Sequence, residues 1–127
     1  MGGYVIDASA FLAIVRDEAG ADAAAARLPG AAMSAVNASE ALMRGVEKGF
    51  PLAMMRAFLG SQQVRLILFD EELAIAAALL RPVTKRAGLS FADRACIATA
   101  IRLDATVVTA DRVWADLDLP CKVELIR

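Results

Sequence analysis

YVIDASAFLAIVR, residues 4–16, contains the junction that decides the fold. YVID reads as a short buried strand that ends on an acid. ASAFLAIVR then places Phe11, Leu12 and Val15 on one helical face. A strand therefore passes straight into a helix, with Asp7 at the join. The same signal recurs along the chain. Residues 31–34 are extended and lead into a helix near 36–48 that stops at Gly49. VRLILF, residues 64–69, is a strand, and Asp70-Glu71-Glu72 open the next helix with acids at its positive end. ATVVT, 105–109, is a strand followed by a short helix over 111–117, and CKVELI, 121–126, is the last strand.

Three further helices fill the gaps. One spans 18–28 and closes at Pro29-Gly30, one runs from Pro51 to about residue 60, and one runs from Ser90 to about residue 103. Pro82 should break the stretch after Glu72 into pieces over 73–81 and 83–87, with Gly88 as the stop. Strands alternating with helices predict an α/β fold. We expect one domain over 1–127, with a mostly parallel central sheet of four to five strands inside three α/β/α layers. Ligands of such sheets bind at the carboxyl ends of the strands.

Composition narrows the chemistry. The chain has 127 residues and no histidine, which removes the Ser-His-Asp triad, histidine general acid–base catalysis and His-ligated zinc. Cys96 and Cys121 match no zinc spacing and read as buried reduced thiols. Lys and Arg total 14 against 15 acids, so there is no strongly basic nucleic-acid footprint. Mean hydropathy is +0.52, yet the longest uncharged run, between Arg27 and Glu40, falls short of the ~18 apolar residues of a spanning helix. With no basic leader, the expectation is a cytoplasmic protein without a membrane segment. The apolar excess suits a protein partner.

Four acids sit in apolar surroundings near strand ends or helix starts. They are Asp7, Glu40 (in SAVNASEALM), Asp93 (in LSFADRACIATA) and Asp111, after ATVVT. Each has a local explanation: Asp7 and Asp111 as helix N-caps, Asp93 as a first-turn acid, and Glu40 paired with Arg44 four residues on. Basic partners are otherwise sparse near Asp7 and Glu40. A joint explanation is magnesium or manganese, which takes hard oxygen ligands and supports phosphodiester hydrolysis without histidine. Asp7-Ala8-Ser9 is not the D-x-D of a haloacid-dehalogenase-like phosphatase, receiver-domain acids are missing, and no Walker A or G-x-G-x-x-G string is present.

The strings YVIDASAFLA, SAVNASEALMR, GLSFADRACIATA and VVTADRVWADL, in this order, resemble the successive motifs of the PIN-domain family. More narrowly, they resemble the VapC-type ribonuclease toxins of bacterial toxin–antitoxin pairs. The resemblance covers essentially the whole chain. It implies that Asp7, Glu40, Asp93 and Asp111 bind Mg2+ or Mn2+, with Asp116 as an occasional fifth acid or simply a surface residue. Ser9 and Thr109 match small hydroxyl residues near the site, or serve as capping groups. Asn37, one turn before Glu40, is a site hydrogen-bonder or a helix cap. Arg94 and Arg112, each directly after a site acid, are phosphate contacts or exposed surface charges.

The resemblance further implies RNA as substrate, a homodimer, and a VapB-like antitoxin that blocks the site and alone carries the complex to DNA. PLAMMRAFL, residues 51–59, offers Met54, Met55, Phe58 and Leu59 as partner surface or core. The alternative from another class is a catalytically inactive PIN-like module that acts only by binding a partner. Pro82 departs from the family pattern, away from the acids.

Overall fold

The computed structural model describes residues 2–127. Its elements alternate as the sequence predicts. They are β1 (Tyr4–Ile6), α1 (Ala8–Val15), α2 (Ala21–Arg27), β2 (Ala32–Ser34), α3 (Ala35–Glu47), α4 (Leu52–Ser61), β3 (Arg65–Ile67), α5 (Glu71–Leu79), α6 (Arg81–Thr84), α7 (Phe91–Leu103), β4 (Thr106–Thr109), a 3-10 turn (Arg112–Asp116) and β5 (Val123–Leu125). The five strands form one sheet in the order β3-β2-β1-β4-β5. Every pairing is parallel. The sheet is therefore all-parallel rather than mostly so, and has the upper number of strands expected.

Strand alternation sorts the core into two layers. Val5 stands beside Ala32 on β2 and Val107 on β4, and Ile6 stands beside Val108. Val5, Ala32 and Val107 pack with Leu73, Ala77, Ile97 and Trp114, under α5 and α7. Ile6, Met33 and Val108 face the other way, onto Phe11, Leu28, Ala41 and Met55 of the α1–α4 side. A strand buried on both faces has no polar side to show, which is why these segments read as continuous apolar runs.

The chain reverses its direction of travel across the sheet between β1 and β4. It moves outward from β1 to β2 and β3, then returns past β1 to add β4 and β5. That reversal leaves a crevice at the carboxyl ends of β1 and β4. Asp7 follows β1 and Asp111 follows β4 at that edge.

Two local readings are corrected. Pro82 does break the helix, but it sits in the first turn of α6, where a missing N–H costs nothing, and α6 ends at Thr84 rather than residue 87. The Thr84 hydroxyl donates to the Leu80 carbonyl at 2.8 Å. Of the two cysteines, Cys96 is buried but Cys121 is only partly so. Burial pushes the Cys96 thiol well above its ordinary range, so it behaves as a small neutral hydrophobe.

Candidate metal-binding active site

Each of the four acids has a local task, three of them at helix starts and Glu40 in the second turn of α3. Asp7 caps α1, its Oδ1 accepting from the Ala10 N–H at 2.8 Å. Asp111 caps the 3-10 turn through the Val113 N–H at 3.1 Å. Asp93 and Ser90 form a capping box at the start of α7: the Ser90 N–H donates to Asp93 Oδ2 at 2.9 Å, and the Asp93 N–H to Ser90 Oγ at 3.2 Å. Glu40 pairs with Arg44 at 3.6 Å. These tasks do not compete with a shared site. The same four side chains line one cleft of about 290 Å3, together with Ala8, Ser9, Asn37, Arg44 and Ser90. Helices of a parallel sheet begin at the strands' carboxyl edge, so residues in their first two turns can meet in one crevice.

Asp7 is the centre of the arrangement. It is 4% exposed. The Ser9 hydroxyl donates to it at 2.7 Å and the Thr109 hydroxyl at 2.6 Å. These hydroxyls in turn accept from the backbone after β4, Ser9 Oγ from the Ala110 N–H at 2.9 Å and Thr109 Oγ1 from the Asp111 N–H at 3.1 Å. Ser9 and Thr109 thus lock Asp7 to the strand that delivers Asp111. Three donors favour the ionised carboxylate, yet burial outweighs them and raises the Asp7 pKa to about 6, with the charge on Asp93 adding to the rise. Burial also raises the Asp93 pKa. Bonds from Ser90 oppose that rise, Asp111 reinforces it, and Arg44 lowers it.

Asn37 does not cap its helix; Ser34 does, through the Val36 N–H at 3.2 Å. The Asn37 carboxamide lies inside α3, 1% exposed, and bridges two other helix starts. Its Oδ1 accepts from the Ala8 N–H at 3.2 Å and its Nδ2 donates to the Ala92 carbonyl at 2.9 Å. Ala8 follows Asp7 and Ala92 precedes Asp93. One buried side chain therefore sets the spacing of two acids, one turn before the third, Glu40.

The remaining residues lie elsewhere. Arg94 is turned toward α5, where its guanidinium donates to the Ala77 carbonyl at 3.4 Å, and it does not line the cleft. Arg112 and Asp116 are exposed and outside the lining. Arg44 is the cation that the sequence reading missed as a cleft residue. Its position four residues after Glu40 was the available signal, and it shows that basic charge is not absent beside Glu40.

The donor set of the cleft suits a hard divalent ion: four carboxylates and the hydroxyl oxygen of Ser9, with no histidine in the chain. As the side chains stand, no three acids among the described residues are gathered closely enough to hold one ion. The Glu40–Arg44 pair and the Ser90–Asp93 bond hold two of them in their local roles. Burial is the main reason the Asp7 and Asp93 pKa values are raised, and repulsion from Asp93 and Asp111 respectively adds to it.

Comparisons with known proteins agree with this architecture. A chain of a toxin–antitoxin complex from Klebsiella pneumoniae superposes with a TM-score of 0.80 at 18% identity, over 98% of each chain. A chain of DNA-bound VapBC from Salmonella typhimurium gives 0.72 at 17% identity, over 100% of each. One from VapBC-5 of Mycobacterium tuberculosis gives 0.57 at 25% identity, over 99% of this chain and 98% of that one. No curated protein sequence matches. The sequence matches the PIN domain over residues 4–119, nearly its whole length, and the chain belongs to the PIN-domain family.

Proposed function

We propose that this chain is a metal-dependent endoribonuclease and the toxin component of a toxin–antitoxin pair. The observation that carries the reading is the convergence of Asp7, Glu40, Asp93 and Asp111 on one cleft at the carboxyl edge of a PIN-type sheet. These four carboxylates would hold Mg2+ or Mn2+. When bound, the ion neutralises the phosphodiester, makes a water nucleophilic near neutral pH and stabilises the leaving oxygen. Ser9 and Thr109 orient Asp7 through its two oxygens, and Asn37 fixes the spacing of the helix starts that carry Asp7 and Asp93. With no histidine in the chain, proton transfers at the cleft fall to carboxylates and water. Arg44, on the cleft wall, supplies positive charge toward a substrate phosphate. Asp116, Arg94 and Arg112 stand outside the cleft and take no direct part.

The partner follows from the same reading. The similar chains come from toxin–antitoxin complexes, some of them DNA-bound. Here a VapB-like antitoxin would cover the cleft, DNA would be reached only through it, and two copies of the chain would pair in the cytoplasm. Helix α4 is a suitable docking surface: Leu52 and Met54 are exposed, whereas Met55 and Leu59 belong to the core. Among the described residues, no helix is long and apolar enough to cross a membrane.

The test is cleavage of a single-stranded RNA by purified protein before and after chelation. Activity should vanish with chelator and return with Mg2+ or Mn2+. Cleavage that survives complete chelation, or RNA left intact under every metal condition, would refute the reading.

A further inference from the structure

We propose that the groove between α1 and α3, opening from the carboxylate cleft, is the track for the backbone of single-stranded RNA, with Arg44, Lys48 and Arg16 as its phosphate contacts. The proposal rests on the nuclease reading above and adds the path of the substrate.

The groove has a volume of about 400 Å3 and is lined by Leu12, Arg16, Met43, Arg44, Glu47 and Lys48. Arg44 also lines the cleft, so the two recesses share a wall. Helices α1 and α3 both start at the cleft edge and pack against each other. Their shared groove therefore leads away from the acids, toward their C-termini.

Charge is distributed along it in a way the whole chain is not. The chain carries 14 basic against 15 acidic residues, and the cleft is dominated by four acids. The groove lining holds three cations and one acid, Glu47, and two of the cations also meet acids beyond it, Arg44 with Glu40 at 3.6 Å and Arg16 with Glu18 at 3.4 Å. A polyanion drawn to an acidic cleft needs such a rim, because the ion neutralises only the phosphate it touches. Arg44 and Lys48 lie one helical turn apart, a rise of about 6 Å, comparable with the separation of successive phosphates in an extended strand. Arg16 and Lys48 end α1 and α3 respectively, so they sit side by side at the far end of the groove. Arg16 is held by Glu18 at 3.4 Å, an exposed pair that a phosphate can displace. The floor is apolar: Leu12 is buried, and Met43 is 54% exposed, offering a soft surface for base faces.

The experiment compares the parent with an Arg16→Gln/Lys48→Gln double variant. Both positions are exposed and neither lines the cleft. Binding of a fluorescent single-stranded RNA of about 12 nucleotides is followed by anisotropy in calcium buffer, from about 50 to 200 mM salt. Hydrolysis of bis(p-nitrophenyl) phosphate with Mn2+ is measured in parallel, since that ester is too small to reach the groove. We expect RNA affinity to fall about tenfold at low salt and the log–log salt slope to shrink by about 1.4, near 0.7 for each lost phosphate contact. Small-ester hydrolysis should stay at the parent's rate. An unchanged slope, or a parent that does not bind RNA, overturns the proposal. So does poly-glutamate binding the parent more tightly than RNA of equal charge, which would assign the groove to an acidic polypeptide. A parent that binds RNA with the expected slope but hydrolyses neither ester nor RNA would instead count against the nuclease reading, leaving the groove supported.

Discussion

A carboxylic acid as buried as Asp7, with three donors around it and a pKa still raised to about 6, is poorly matched to its own fold when no cation is near. The consequence can be measured. Its folded pKa lies above the unfolded value of 3.8, so between about pH 4 and pH 6 the folded chain binds the extra proton. The stabilisation is fully present below that window and is lost as pH rises through it, about 3 kcal/mol in all. Asp93 shifts in the same direction. Metal-free protein should therefore lose stability in denaturant titrations as pH rises from 4.5 to 7, and Asp7→Asn should flatten most of that decline. A metal-free parent whose stability is level or rising across the window would show that Asp7 is not held as described. The acids themselves were legible from the sequence, because strand ends and helix starts announce where a carboxylate is useful. Capping and site roles read there as alternatives, but in the structure a carboxylate that caps a helix also lines the cleft. The Asn37 bridge was not legible, since its partners lie 29 and 55 residues away along the chain.

At the scale of elements, the strand and helix positions follow local chemistry closely, and the differences lie at ends. VRLILF suggested a strand through residue 69, but only Arg65–Ile67 pair, because β3 is an edge strand with a neighbour on one side. Pro82 was readable as a break, whereas the end of α6 at Thr84 was not. The loop between α1 and α2 carries a stricter demand. Gly20 has φ +91°, and a Cβ there would stand 2.6 Å from the Ile126 carbonyl oxygen. Backbone strain and a backbone clash act together, so Gly20→Ala should destabilise the protein by about 2 kcal/mol or more. Thermal melts decide this, and a variant as stable as the parent would mean that the C-terminal segment does not pack against this loop. That requirement is visible only once the end of the chain is folded against its beginning.

For the molecule as a whole, the sequence carried the fold class but not the order of strands. Alternation of strand and helix is satisfied by several parallel sheets, and the return of the chain past β1 to place β4 goes with α5 and α7 packing together on one face. That return creates the crevice in which the four acids line one cleft, where we propose that they hold a cation and cut RNA. Asp93→Asn tests it most directly. The amide keeps the shape, and its oxygen can still accept from the Ser90 N–H, but one negative charge leaves the cleft. Melting temperature with and without magnesium, and RNA cleavage, are measured on the parent and the variant. The metal-free variant should melt no lower than the parent, and its cleavage should fall by orders of magnitude. Magnesium at ten times its dissociation constant should stabilise the parent by about 1.4 kcal/mol and the variant less. A variant that loses about 0.3–1 kcal/mol, the worth of an acid in a helix's first turn, while cutting RNA as well as the parent, would contradict the claim.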